Sequence, residues 1–149
     1  MSLYLKKILM FLVMSIPAVL FGQTYFSGTL YQDTTMYLED SSYIITDNVI
    51  IPQEYKLTIE PGVELQFEHE FSIKVYGEIY AVGDVHNRIS FSSSNIQANW
   101  LGVSVLTEHG FDYPEKSVLF KSCDFSNADI VLSVAGRNNI EVSDCNIEN

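Results

Sequence analysis

Apolar and polar residues alternate in short runs along most of the chain, and turn residues separate the runs. Alternation with a period of two is typical of half-buried β-strands, and the Pro61-Gly62 pair is typical of a tight turn. No segment beyond residue 22 has the 3.6-residue period of an amphipathic helix. The pattern predicts short strands joined by corners. Around the Pro61-Gly62 corner, the inward face comprises Leu57, Ile59, Val63, Leu65 and Phe67.

Two segments near the C-terminal end repeat one another at a fixed offset. The segment 118–127 (VLFKSCDFSN) aligns without a gap on 140–149 (IEVSDCNIEN). A period of about 20–25 residues, built from short alternating strands, is typical of a solenoid in which each coil stacks on its neighbours. An antiparallel sandwich or barrel is the competing fold, and the repeat disfavours it. The coinciding pairs are Val118/Ile140, Phe120/Val142, Cys123/Cys145, Phe125/Ile147 and Asn127/Asn149.

The repeat predicts two ladders of equivalent side chains on successive coils. Cys123 and Cys145 are expected about 4.8 Å apart at Cα, which is within disulfide range. However, equivalent side chains of a parallel stack point the same way, and this orientation strains a disulfide. We favour a buried stack of free thiols, with a disulfide as the alternative. Asn127 and Asn149 are expected to form a ladder at a corner. Asn tolerates left-handed backbone, and its side-chain amide can form a hydrogen bond with the Asn amide of the next coil.

Residues 1–22 have the pattern of a secretory signal peptide. Lys6 and Lys7 precede an apolar run from Ile8 to Phe21. This run is shorter than the about 20 residues that a membrane-spanning helix needs. Cleavage after Gly22 leaves Gln23 as the new N-terminus, and an uncleaved N-terminal anchor is the alternative. We therefore expect the protein to be secreted or displayed at the cell surface, with no membrane span after cleavage.

The mature chain, 23–149, is strongly acidic. It keeps all 19 Asp and Glu, whereas Lys6 and Lys7 leave with the signal peptide, so the formal charge changes from −11 to −13. Its length suffices for one domain with a sizeable core. Nucleic acids and anionic membranes require a positive patch, and no cluster of basic residues occurs in the mature sequence. We expect neither as a partner.

The organisation expected from the sequence is a signal peptide over 1–22, an N-terminal cap over 23–47 and coils over 48–149. The segment 23–47 is polar and aromatic with few alternating apolar runs. Solenoids need a terminal unit that covers the first coil, and we assign this role to that segment. The chain stops at Asn149 inside a repeat corner. We therefore expect coils to continue beyond it, and self-association through an open coil end is compatible with this pattern.

Three segments carry a resemblance to a known superfamily: 57–67 (LTIEPGVELQF), 73–83 (IKVYGEIYAVG), and 88–94 (RISFSSS) before Trp100-Leu-Gly102. They resemble right-handed parallel β-helix proteins of the pectate-lyase-like superfamily, and more narrowly the N-terminal coils of exported proteins of Bacteroidetes-type bacteria. The resemblance covers about residues 43–149. It implies an all-β, right-handed parallel β-helix. The superfamily includes polysaccharide lyases, glycoside hydrolases and adhesins, so the fold alone does not identify the activity.

The sequence offers no clear catalytic constellation. A polysaccharide lyase needs a cation or Arg to neutralise the uronate and a base to remove a proton. The mature chain has two arginines, Arg88 and Arg137, and neither lies beside a pair of carboxylates in sequence. A glycoside hydrolase needs two carboxylates at a defined separation. The candidates near the repeats are Asp124, Asp129, Glu141 and Asp144, which we interpret as solubilising charges.

Metal chemistry has equally little support in the sequence. His69, His86 and His109 are scattered, without the short spacing of a zinc site. The acidic loop from residue 109 to 115 lacks the spaced Asp residues of a calcium loop. We therefore predict no catalytic residue, no metal ligand and no cofactor in this segment. Ca²⁺ bound by the acidic loop is the alternative, and no motif supports it.

A binding role requires less of the sequence. Exposed aromatic side chains stack on sugar rings, with carboxylates and amides around them. The candidates are Tyr76, Tyr80, Trp100, His109, Asp112 and Tyr113, and for Trp100 packing at a coil corner is the alternative. The sequence thus predicts an exported, non-catalytic scaffold or adhesin-like module that contacts a polysaccharide or cell-surface glycan. The alternative is the N-terminal part of a polysaccharide lyase or glycoside hydrolase.

Overall fold

Parallel pairing joins all the strands of the described chain. A computed structural model describes residues 22–95, 97–106, 116–136 and 139–148. A single 3-10 turn, Leu38–Asp40, accompanies the strands in these ranges. The strands are β1 (Thr24–Thr29), β2 (Thr34–Met36), β3 (Tyr43–Ile51), β4 (Lys56–Ile59), β5 (Glu64–Phe67), β6 (Ser72–Val75), β7 (Glu78–Val82), β8 (Ile89–Ser93), β9 (Gly102–Val105), β10 (Ser117–Lys121), β11 (Cys123–Ser126), β12 (Leu132–Val134), β13 (Asn139–Ser143) and β14 (Asn146–Glu148).

The strands lie in three stacks. The first stack contains the first halves of β1 and β3, followed by β5, β8, β11 and β14. The second contains the other halves of β1 and β3, followed by β6, β9 and β12. Because β1 and β3 belong to both, these stacks form one curled nine-stranded sheet. The third stack is a five-stranded sheet of β2, β4, β7, β10 and β13. One strand from each stack in succession makes a coil.

The architecture confirms the all-β prediction and its parallel pairing, and the parallel pairing excludes an antiparallel sandwich or barrel for the described residues. The sequence repeat is also visible in the register. Val118 pairs with Ile140 and Phe120 with Val142 in the third stack, and Phe125 pairs with Ile147 in the first. Each of these members of the repeat therefore stacks directly on its counterpart.

The core runs between the two sheets and is filled from alternate strand positions, as the pattern predicts. Leu57, Val63 and Phe67 are fully buried. In the first stack, Phe91 and Phe125 lie one above the other, with ring centroids 4.9 Å apart and planes inclined by 13°. Such stacked rings add to the apolar area that the coils bury against each other.

The segment 23–47, which the sequence predicts as a cap, carries strands of the stacks. β1 pairs in parallel with β3 and β2 with β4. The expected boundary at residue 47 falls inside β3, and Tyr43 and Ile45 at the start of that strand are buried in the core. The segment thus forms a coil. Its predicted role of covering the N-terminal end of the stacked coils stays a prediction.

Two corners between the third and first stacks have left-handed backbone. Ser122 and Asp144, which are equivalent in the repeat, have φ of 50° and 53°. Asn127, at the next corner, also has φ of 53°, a conformation that Asn tolerates better than most residues. Its expected ladder partner Asn149 lies outside the described residues, as does the predicted signal peptide apart from Gly22. The described ranges contain no helix with the length and apolar character needed to cross a membrane.

Candidate functional site

Trp100 packs the corner between the first and second stacks. It is completely buried, and its ring lies nearly parallel to that of Phe67 with centroids 4.3 Å apart. Its Nε1–H donates a hydrogen bond to the Ser126 carbonyl oxygen at 3.0 Å. The ring face therefore packs on Phe67 and the indole N–H is hydrogen-bonded within the protein, so neither is available to a ligand. The suggestion that Trp100 contacts a glycan is corrected accordingly, in favour of the packing alternative.

Tyr76 and Tyr80 do not form a shared aromatic platform. Tyr76 follows β6 of the second stack, and its backbone N–H donates to the Ile51 carbonyl oxygen at 2.9 Å. Tyr80 lies within β7 of the third stack, with the Lys56 ammonium 5.6 Å from its ring centroid. Both side chains are half-buried. The other expected binding residues, His109, Asp112 and Tyr113, lie outside the described residues.

A concavity lies instead at the corner between the third and first stacks of the first coils. We call it the N-terminal groove, and its volume is about 960 Å³. Aromatic, aliphatic and carboxylate side chains come together here on a β scaffold. The lining residues are Gly22, Gln23, Tyr37, Leu38, Glu39, Ser41, Ser42, Glu60, Gly62 and Glu64.

Tyr37 is held in the groove through its backbone. The Tyr43 hydroxyl accepts a hydrogen bond from the Tyr37 N–H at 2.9 Å and donates one to the Tyr37 carbonyl oxygen at 3.2 Å. Burial raises the pKa of Tyr43, so the phenol remains neutral and able to donate. The Tyr37 side chain is 48% exposed. A fixed backbone thus presents a partly exposed ring.

Two of the three glutamates are bound to the neighbouring coil. Glu60 Oε2 accepts a hydrogen bond from the Leu38 N–H at 2.9 Å. Glu64 Oε2 accepts one from the Ser42 hydroxyl at 3.0 Å, and the Glu64 N–H donates to Ser41 Oγ at 3.0 Å. The floor of the groove is therefore ordered before any ligand arrives.

The chemistry available in the groove is non-covalent recognition. An exposed aromatic ring provides a face for a pyranose ring, and carboxylate oxygens accept hydrogen bonds from hydroxyl or amino groups. Preorganised walls reduce the ordering cost of binding. The N-terminal groove thus combines an aromatic face with carboxylate acceptors, the combination that non-covalent sugar binding requires.

A second concavity, of about 550 Å³, is lined by His69, Glu70, Phe71 and Ala98. His69 and Phe71 make an edge-to-face contact with centroids 5.8 Å apart. Phe71 packs against the core, so less of its ring faces outward. With one carboxylate and a half-buried ring, this concavity is the weaker candidate.

Arg88 acts as a tie between coils. Its Nε lies 2.8 Å from Asp124 Oδ1, and its Nη2 donates to the carbonyl oxygens of Cys123 and Asp144 at 3.0 and 2.8 Å. Asn146 Nδ2 donates to the same Asp124 oxygen at 2.8 Å. Asp124 and Arg88 are therefore engaged in joining three successive coils.

The other residues considered for catalysis are dispersed. Asp129 accepts a hydrogen bond from Asn99 Nδ2 at 2.9 Å, and Glu141 is exposed on β13. Arg137 lies outside the described residues. Within the part of the chain that the structure describes, no three His, Cys, Asp or Glu side chains are grouped as a metal site requires.

The two cysteines are free thiols with matching hydrogen bonds, but Cys123 is buried whereas Cys145 is only partly buried. Cys123 Sγ donates to the Lys121 carbonyl oxygen at 3.4 Å, and Cys145 Sγ to the Ser143 carbonyl oxygen at 3.3 Å. Burial, followed by the neighbouring Cys145 thiol, raises the pKa of Cys123 to about 12. A neutral, buried thiol of this kind is a poor nucleophile.

Sequence reasoning did not single out Tyr37, Glu39, Glu60 or Glu64. The signal that was present is the spacing, since Leu38 and Glu60 are 22 residues apart, as are Ser42 and Glu64. The repeat length of the C-terminal coils, extended to the N-terminal segment, places these residues side by side. Reading residues 23–47 as a cap prevented that step.

Comparison with known proteins gives one partial similarity. No family model matches the chain. Protein bark beetle from Drosophila melanogaster is 32% identical over 73 residues, which is 49% of this chain and 2% of that protein. The chain thus covers only a small fraction of the length of this curated relative. No solved structure matches.

Proposed function

We propose that the protein is an exported, right-handed parallel β-helix module that contacts a glycan through the N-terminal groove as a non-catalytic scaffold or adhesin. The three stacks of parallel strands and the resemblance of residues 43–149 to β-helix proteins support the helical winding. The signal-peptide pattern of residues 1–22 supports export. Half of this chain resembles part of a much larger protein, which fits a modular role.

The observation that carries the glycan proposal is the placement of Tyr37 beside Glu60 and Glu64. The ring provides an apolar face, and the carboxylates provide acceptors for the hydroxyl groups around a sugar ring. The Tyr43 hydroxyl fixes the Tyr37 backbone at both its N–H and its carbonyl. Little backbone entropy is therefore lost at Tyr37 when a ligand binds.

The test is retention of the secreted protein on a panel of immobilised neutral, amine-bearing and uronate polysaccharides. We expect retention on at least one of them, and Tyr37→Ala should weaken it about ten-fold, the loss expected for one stacking aromatic. Tyr31→Ala is the matched control, because Tyr31 is 84% exposed and does not line the groove. The control should bind like the unaltered protein.

Two outcomes contradict the proposal. Binding to none of the polysaccharides rejects a glycan-contacting role, and equal losses in both tyrosine variants reject the groove as its location. The same incubations report on the alternative of a lyase or hydrolase. Release of unsaturated or reducing sugar ends would support that alternative over a scaffold.

A further inference from the structure

Cys123 and Cys145 lie opposite each other on neighbouring coils. The pairing of β10 with β13 and that of β11 with β14 have the same offset of 22 residues on the two sides of these cysteines. In the sequence each repeat carries a single cysteine, and only the stacking of the coils brings the two together. We propose that the two thiols form a two-coordinate site for a soft monovalent metal ion such as Cu(I).

The two sulfur atoms point the same way. Cys123 Sγ lies 3.4 Å from the Lys121 carbonyl oxygen, and Cys145 Sγ lies 3.3 Å from the Ser143 carbonyl oxygen. Each thiol therefore contacts the carbonyl two residues before it, so the two side chains have equivalent orientations. Because equivalent positions on neighbouring parallel strands are about 4.8 Å apart, the two sulfurs are separated by a similar distance along the stack.

This separation suits a metal ion between the sulfurs better than a covalent bond between them. A metal–thiolate bond is about 2.3 Å long, so an ion bound in line between two sulfurs holds them about 4.6 Å apart. A disulfide needs Cβ atoms about 3.5–4.5 Å apart, which is closer than the about 4.8 Å between neighbouring strands. The coils would therefore have to move together to form a disulfide, whereas an ion bridges them at their existing spacing.

The number of ligands selects the class of ion. The described residues contain no group of three or more His, Cys, Asp or Glu side chains, and Zn²⁺ in a structural site takes four ligands. On the other side of Cys123 the stack continues with Ile89, which supplies no further ligand. Thiolates are soft ligands that favour Cu(I), and Cu(I) is stable with two sulfur ligands in line. The cysteine pair is therefore complete for Cu(I) and incomplete for Zn²⁺.

The surroundings provide access for the ion and a counter-charge. Cys145 is partly exposed and can be reached from solvent, whereas Cys123 is buried in the preceding coil. Binding displaces both thiol protons to solvent, so Cu(I) between two thiolates carries one net negative charge. The Arg88 guanidinium donates hydrogen bonds to the Cys123 and Asp144 carbonyl oxygens at 3.0 and 2.8 Å. It also pairs with Asp124, so it offsets part of the new negative charge.

The experiment titrates the purified, reduced protein with Cu(I) held by a competing chelator, in the absence of oxygen. We expect one ion per protein, protection of both thiols from a thiol reagent, and a higher melting temperature because the ion joins two coils. Cys145→Ser and Cys123→Ala should each bind Cu(I) about a hundred-fold more weakly, since the second thiol acts at a high effective concentration. Because Cys145 is partly exposed, its variant keeps the test valid if the Cys123 variant fails to fold.

Ser143→Ala is the matched control. Ser143 lies two residues before Cys145, and its side-chain oxygen makes no hydrogen bond within the described structure. Its backbone carbonyl, which the Cys145 thiol contacts, is retained in the variant. The control should bind one Cu(I) with the affinity of the unaltered protein.

Three results would overturn the inference. If the single-cysteine variants bind Cu(I) as tightly as the unaltered protein, the thiols act separately and form no shared site. A disulfide between Cys123 and Cys145 in protein purified without reductant would show that the coils approach closely enough to bond directly. Binding of Zn²⁺ in preference to Cu(I) would show that further ligands complete the site. The N-terminal groove takes no part in these measurements, so their outcome leaves the glycan proposal unaffected.

Discussion

Phe67 and Trp100 lie on successive coils and stack nearly parallel, with planes inclined by 11° and centroids 4.3 Å apart. Phe91 also stacks against Trp100, with centroids 6.2 Å apart. Phe91 in turn stacks on Phe125 of the next coil. These rings form a continuous aromatic column that joins three coils through the core.

Trp100→Ala should lower the free energy of unfolding by about 3–5 kcal/mol, because it leaves a cavity in the column and removes the hydrogen bond to Ser126. Trp100→Phe should cost less, since stacking on Phe67 is retained. Urea denaturation of the two variants gives the comparison. A cost below about 1 kcal/mol for the alanine variant would show that the column is not a principal source of stability.

Gly102→Ala should be far more damaging than Gly28→Ala. Both glycines have positive φ, 94° and 87°, so an alanine is strained at either position. A Cβ on Gly102 would lie only 1.5 Å from the Ile130 carbonyl oxygen, whereas nothing lies within 4 Å of a Cβ on Gly28.

The Gly28 variant should therefore lose about 1–2 kcal/mol of stability from backbone strain alone. The Gly102 variant must also separate two coils, and we expect it to fold poorly. Thermal melts of the secreted variants test this order. Similar melting temperatures for the two would contradict the close coil contact at Gly102.

Arg88→Met should destabilise the fold by about 1–2 kcal/mol, with little dependence on salt. Two of the three Arg88 contacts are hydrogen bonds to backbone carbonyls of the following coils, and salt screens these less than an exposed ion pair. Asp124→Asn, which retains an acceptor for Arg88, should cost less. Urea titrations at low and high salt measure both variants. If the stability difference between Arg88→Met and the unaltered protein vanished in high salt, the loss would be due to the ion pair with Asp124 alone.

Stability should fall as the pH rises above about 9. The pKa of Cys123 is raised in the folded state from its usual 9.0 to about 12, so in this window the unfolded chain releases a proton that the folded chain retains. The stabilising contribution is complete below pH 9 and disappears by about pH 12. The pKa of Tyr43 is also raised, and this adds to the alkaline loss.

The Cys123→Val variant isolates the thiol contribution to this pH dependence. Its free energy of unfolding should decline less than that of the unaltered protein across the same pH range, while the Tyr43 contribution remains. Urea titrations at pH 8, 9, 10 and 11 provide the comparison. Parallel curves would mean that the Cys123 thiol titrates alike in both states.

Alternation and repeat length were sufficient to predict the β-strands and their stacking. Val118 and Ile140 could be paired from the sequence because a parallel stack places equivalent residues in register, and the structure pairs them. Trp100 was harder, because it lies outside the strands at a corner, where alternation no longer tells inside from outside. Its burial depends on Phe67, which belongs to the preceding coil and is far from it in sequence.

The N-terminal groove could not be recognised from local patterns. Tyr37 and Glu64 are brought together only by the course of the chain around a corner, and neither belongs to a motif. The polar character of residues 23–47 also concealed a coil, because much of this segment faces outward. Tertiary placement, rather than composition, creates the groove.

The strands of a stack stay in register even where the number of residues between them differs. Phe91 pairs with Phe125 and Phe125 pairs with Ile147, although the chain takes a much longer course over the first of these steps than over the second. The extra length is absorbed between the strands, while neighbouring strands keep their separation of about 4.8 Å. A longer connection between two strands therefore leaves the register and the pitch of the stacked strands unchanged, so positions on one face stay evenly spaced whatever the length of the chain between them.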